Sequence, residues 1–133
     1  MAFLPSLGGA DYDVWMINIR GNQYSRRHLT LSPSDADFWN FSHHESALFD
    51  YSATIDHVLR VTGHDDLFFA GYSMGTTQYL ILLAERPEYN RVIRAGFLMG
   101  PAAVGKHATN PAVVASPYAE LIEGAANLLG RKI

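Results

Sequence analysis

Apolar residues fall into short runs and longer helical patterns, set apart by polar stretches containing Gly and Pro. Val14-Trp15-Met16-Ile17-Asn18-Ile19 is apolar almost throughout, as in a strand covered on both faces, and Arg20-Gly21-Asn22 ends it. A polar stretch over residues 23–40 follows, with Ser32-Pro33-Ser34-Asp35 as turn chemistry. Phe38, Trp39 and Phe41 are expected to dock this loop on the body of the domain. The spacing of Leu48, Tyr51, Ile55, Val58 and Leu59 predicts a helix over residues 43–62. Ser42 and Glu45 form a capping-box pattern at its start, Gly63 stops it, and Glu45, Asp50, Asp56 and Arg60 mark its polar face.

An apolar run at residues 67–71 reads as a second strand, followed by a helix over residues 76–86 that ends at Pro87. Tyr79, Leu80, Ile81, Leu82, Leu83 and Ala84 are apolar all round, which predicts a deeply buried helix. A third strand is expected at Ile93–Met99, before Gly100-Pro101. Strand, helix, strand, helix, strand implies the α/β class: a parallel sheet flanked by helices and joined by right-handed crossovers. Residues 1–13 lack a period. After Pro101 the residues become small, and Ser116-Pro117 opens a helix expected to reach about Leu129. The division this suggests is a core over residues 1–101 and a separate segment over 102–133.

Composition adds limits. The 133 residues suit one domain and are 48% apolar, enough to form a core. Ten basic against thirteen acidic residues give a net charge of −3, with no general attraction to nucleic acid. Cysteine is absent, so neither a disulfide framework nor a Cys-based metal site is available. No apolar run is long enough to span a bilayer, and the first residues make a poor signal peptide because Pro5, Gly8 and Gly9 interrupt them.

The chemistry concentrates in Gly71-Tyr72-Ser73-Met74-Gly75, between an apolar strand and a helix. A strand, a sharp turn and a helix present a nucleophilic serine with its Oγ outward. The side-chain-free Gly71 and Gly75 let strand and helix pass close to each other, and the Met74 N–H at the helix start can face a developing oxyanion. Such a serine needs a histidine as base and an acid to orient it, which follow it in chain order on this kind of elbow. After Ser73 there is no aspartate, and His107 is the only later histidine. The acids are Glu85, Glu88, Glu120 and Glu123; Glu85 and Glu88 close a helix that carries the chain away from the serine, and His107 reads as a loop residue. His43-His44 lacks further ligands at helical spacing, so no metal is expected, and no Gly-rich nucleotide loop occurs, so no cofactor is expected. Asn40-Phe41-Ser42 is an N-glycosylation sequon, of consequence only in the secretory pathway; helix capping explains Ser42 more simply.

Tyr12-Asp13-Val14-Trp15, Asn18-x-Arg20-Gly21-Asn22, Leu31-Ser32-Pro33, Phe38-Trp39-x-Phe41-Ser42-x-x-Glu45 and Gly71-x-Ser73-x-Gly75-Thr76-Thr77 resemble the acid lipase family. These are the gastric, lysosomal and insect lipases of the α/β-hydrolase fold. The resemblance implies a partial α/β-hydrolase core, with residues 102–133 beginning a cap or lid. It implies a serine hydrolase of neutral lipid esters, with Ser73 as nucleophile, the Met74 N–H as an oxyanion donor, and contact with a lipid interface in the complete protein. A secreted or lysosomal setting is implied as well. Tyr72 and Met74 stand where the family usually has His and Gln; the donor is a backbone group, so Met74 still supplies it. Family members are longer. They carry the triad Asp and His downstream of these residues and an upstream strand that would lie between residues 14–19 and 67–71. The resemblance therefore leaves a gap between those two stretches. The 133 residues alone are expected to be poorly stable and inactive. The alternatives are a non-catalytic protein that binds a lipid or partner, or a peptidase or thioesterase on the same fold.

Overall fold

The structure is a computed structural model that describes residues 12–102. The chain divides into two compact units, Met1–Pro101 and Ala102–Ile133. The expectations for residues 1–11, for His107 and for a helix over 116–129 lie outside the described residues.

The long central helix begins as its sequence requires. Ser42 has extended backbone, and its hydroxyl accepts the His44 N–H at 3.1 Å. Glu45 reaches back to accept the Ser42 N–H at 2.7 Å and the Ser42 hydroxyl at 2.6 Å, completing the capping box. These bonds hold the Glu45 carboxyl well down, at about 2, the Ser42 hydroxyl being the largest cause and the Ser42 N–H the next. From here α1 (His43–Glu45) runs into a π-helical segment (Ser46–Tyr51) and then α2 (Ser52–Thr62). The Leu48 carbonyl, within that change of register, receives the Ser52 hydroxyl and, at 3.3 Å, the Arg86 guanidinium. The π segment was not legible in the apolar spacing. Gly63 ends α2 with φ +70°, the left-handed cap expected of it.

Next come β1 (Leu67–Tyr72), α3 (Met74–Glu85), a one-turn α4 (Tyr89–Val92) and β2 (Ile93–Met99). The two strands pair in parallel, with Phe68 opposite Ala95, Ala70 opposite Phe97 and Tyr72 opposite Met99. The core gathers Ala47, Tyr51 and Ile55 from the central helix, Tyr79 and Leu82 from α3, and Tyr89 and Ile93 beyond it. The half-buried Phe69 ring packs against this core, stacked on Tyr79 at 4.3 Å and tilted against Tyr51 at 5.8 Å. Fully burying one such side chain stabilises by roughly 1.5–3 kcal/mol.

Three expectations are corrected. Helix α3 starts at Met74, two residues before the expected Thr76, because the turn at Ser73 feeds directly into it. It is not buried all round: Tyr79 and Leu82 are buried, Leu80, Ile81 and Leu83 are half-buried, and Ala84 is exposed. Residues 14–19 form no strand. They pack Ile17 and Ile19 against the core but have no ladder partner among the described residues. A strand needs a neighbour about 4.8 Å away, and a cleft of about 840 Å³, lined by Tyr12, Trp15 and Ile17 together with Leu67, Phe69 and Ala70, stands there instead.

The polar loop is fastened at two places. Phe38 is buried within a 3₁₀ turn (Ala36–Trp39), and Trp39 donates its Nε1–H to the Pro33 carbonyl at 2.8 Å. At the other end the Arg20 guanidinium grips the Asp50 carboxylate through contacts of 2.8, 3.0 and 3.0 Å, and the Arg20 N–H adds a fourth at 2.9 Å. Phe41 and Phe49 flank the guanidinium. Asp50, expected on the polar face of the helix, is thus the anchor of the loop.

Candidate active site

The parallel pairing of β1 and β2 ends one residue past β1, where the Ser73 N–H donates to the Met99 carbonyl at 2.9 Å. That bond fixes the backbone just where it turns. Ser73 has φ +50° and ψ −117° and is the one non-glycine residue at positive φ among the described residues. Such a conformation costs on the order of 1–3 kcal/mol and persists only when its surroundings impose it.

Those surroundings can be named. The Ser73 carbonyl accepts the Thr76 N–H at 2.9 Å and the Thr76 hydroxyl at 2.6 Å, and Thr76 is fully buried. The turn is therefore clamped by β2 at its nitrogen and by α3 at its carbonyl. The two glycines make the turn possible. A Cβ on Gly71 would lie 2.7 Å from the Phe69 ring and 3.3 Å from the Gly75 backbone. A Cβ on Gly75 would lie 3.3 Å from the Tyr51 hydroxyl, which itself donates to the Gly75 carbonyl at 3.4 Å. Strand and helix pass as close as the sequence pattern required.

Ser73 occupies the N-cap position of α3, where a serine side chain ordinarily accepts an N–H of the first turn. Here it makes no capping bond. The Ser73 side chain is exposed and its Oγ has no hydrogen-bond partner among the described residues. The Met74 N–H belongs to the first helical turn, so it has no carbonyl within the helix to donate to, and it lies at the positive end of the helix dipole. Among the described residues, an unpartnered hydroxyl thus sits beside a donor without a partner, the pair of groups that acyl transfer requires.

The rest of a triad is not assembled among the described residues. No histidine is hydrogen-bonded to Ser73; Glu88 pairs with Arg86 at 3.0 Å, and Glu85 is the exposed last residue of α3. Of the histidines, His57 lies edge-on to Trp15 at 5.7 Å, and His28 accepts the Thr30 and Leu31 N–H groups. The described residues hold no group of three His, Cys, Asp or Glu side chains arranged for a metal. No helix among them is long and apolar enough to cross a membrane. Sequence reasoning passed over Thr76 and Met99 as parts of the turn. Thr76 had a local signal, directly after the motif; the Met99 carbonyl had none, since only strand pairing brings it there.

Comparison with known proteins agrees with this geometry. The sequence model of the α/β-hydrolase fold matches residues 1–120. Lipase 1 of Drosophila melanogaster is 45% identical over 100 residues, 75% of this chain and 23% of that protein. Human lipase member M is 44% identical over 105 residues, 79% of this chain and 25% of its own length. Human lysosomal acid lipase/cholesteryl ester hydrolase is 42% identical over 105 residues, covering 79% and 26%. The chain thus spans about a quarter of the length of these relatives. On the family match and these identities, the chain belongs to the α/β-hydrolase family, on its acid-lipase branch.

Proposed function

We propose that the complete protein hydrolyses esters of neutral lipids, with Ser73 as nucleophile and the Met74 N–H as one oxyanion donor. The single observation that carries this reading is the strained backbone of Ser73, φ +50° and ψ −117°, held from both sides with its hydroxyl unpartnered among the described residues. Substrate class comes from the relatives, one of which is named a cholesteryl ester hydrolase. In the reaction Ser73 Oγ attacks the ester carbonyl carbon and gives its proton to a histidine. The carbonyl oxygen gains negative charge facing the Met74 N–H, and the alcohol then leaves with a proton from that histidine. Residues 102–133 begin a cap or lid segment on this proposal. The base and its acid come from outside the 133 residues, so these residues alone do not turn over ester.

A fluorophosphonate probe on the complete protein tests this. The expected result is one adduct, mapped to the peptide bearing Ser73 and abolished in Ser73→Ala together with ester turnover. A folded complete protein that takes no adduct at Ser73 supports the non-catalytic lipid-binding alternative instead.

A further inference from the structure

We infer that Asn40 carries an N-linked glycan in the complete protein. Asn40-Phe41-Ser42 is the one Asn-x-Ser/Thr sequence in the 133 residues. Its backbone is a defined turn. Asn40 has φ −76° and ψ +67°, and the Phe41 N–H donates to the Trp39 carbonyl at 2.8 Å across it. This is an inverse γ-turn with Asn40 at the apex.

The apex residue is exposed, and its side-chain amide makes no hydrogen bond among the described residues. Two other asparagines are engaged: Asn22 Oδ1 accepts the Tyr24 N–H, and Asn90 Nδ2 donates to the Leu83 and Pro87 carbonyls. The residues flanking Asn40 are held in place. Phe38 is buried, Trp39 is bonded to Pro33, and the Phe41 ring lies 6.3 Å from Trp39. A sugar on the exposed Asn40 Nδ2 would replace no hydrogen bond among the described residues.

Helix capping by itself accounts for Ser42, but that does not exclude the sequon. The two roles occur at different times. Glycan transfer acts on the extended chain as it is made, whereas the Ser42 hydroxyl engages Glu45 and His44 only on folding. In the transfer Asn40 Nδ2 attacks the anomeric carbon of a lipid-pyrophosphate-linked oligosaccharide. An N–C bond forms, the C–O bond to phosphate breaks, the lipid pyrophosphate leaves, and the amide gives up one proton.

This inference rests on the secretory or lysosomal setting that accompanies the proposed function. It is tested on the complete protein, expressed behind a secretory leader and recovered from the protease-protected fraction, so that entry is assured. The peptide bearing Asn40 is expected to carry one core oligosaccharide, which N-glycosidase removes while converting Asn40 to aspartate. Asn40→Gln and Ser42→Ala lose the sugar, Ser42→Thr keeps it, and Glu45→Gln, which weakens only the cap, keeps it too. Ser73→Ala also keeps it, whatever happens to ester turnover, so the two proposals fail separately. A protected protein whose Asn40 peptide is bare would overturn the inference.

Discussion

Strand β1 has two sides that differ in what they meet. Toward β2 it pairs residue by residue, and the pairing runs on through the Ser73 N–H into the Met99 carbonyl, so the sheet itself sets the turn. Toward residues 14–19 it meets a cleft of about 840 Å³, although that stretch is as apolar as β1. Composition suits both stretches to strands, but only the one with a neighbour becomes a strand. Backbone N–H and C=O groups need partners, and apolar side chains do not supply them. The candidate active site stands wholly on the paired side.

The largest effect that would break this comparison is expected in the core. Leu82 of α3 is fully buried in the core, and Leu82→Ala should cost about 2–5 kcal/mol in denaturant unfolding of the complete protein. Ile17, half-buried in the unpaired stretch, should cost only about 1 kcal/mol on truncation to Ala in the 133 residues taken alone, where that stretch has no strand partner among the described residues. Equal losses would mean that residues 14–19 are as well integrated as α3.

A middle-sized effect separates the two arginine–aspartate pairs. Asp50 is largely shielded and takes four contacts from Arg20, so Asp50→Ala should destabilise by about 1–3 kcal/mol and loosen the loop behind residues 14–19. Asp66 pairs with the exposed Arg94 at 2.7 Å, and its loss should cost less than about 1 kcal/mol. Thermal melts of the two variants give the difference directly.

What the sequence revealed follows the same division between local and distant. The capping box of Ser42 and Glu45, the stop at Gly63 and the glycine-flanked serine all depend on residues a few positions apart, and all stand where expected. The Ile93–Met99 strand was likewise legible, from its apolar run and the Gly-Pro that follows. What escaped needed partners far along the chain. Asp50 meets Arg20 thirty positions away, Met99 meets Ser73 only through strand pairing, and residues 14–19 needed a neighbour that no local pattern reports. The π segment escaped for another reason: its apolar spacing is close to that of an α-helix.

The smallest predicted effect is a pH dependence at the start of the central helix. The folded-state pKa of Glu45 lies at about 2, lowered from 4.5 chiefly by the Ser42 hydroxyl. Its contribution to stability is therefore fully present above about pH 4.5, declines as the pH falls, and is gone below about pH 2. In Glu45→Gln that acid-side slope should flatten, with little change near neutrality. An unchanged slope would place the acid sensitivity at other carboxylates.

The strain at Ser73 carries the whole account, and it is measurable without any substrate. Glycine accepts positive φ without the penalty that a Cβ brings, so Ser73→Gly relieves the turn while Ser73→Ala keeps its strain. Both variants remove the hydroxyl, so the difference between them reports the backbone. In the complete protein Ser73→Gly is expected to be more stable than Ser73→Ala by about 1 kcal/mol or more. If the glycine variant is equally stable or less stable, Ser73 is not held in a strained turn, and the nucleophile elbow read from this chain is wrong.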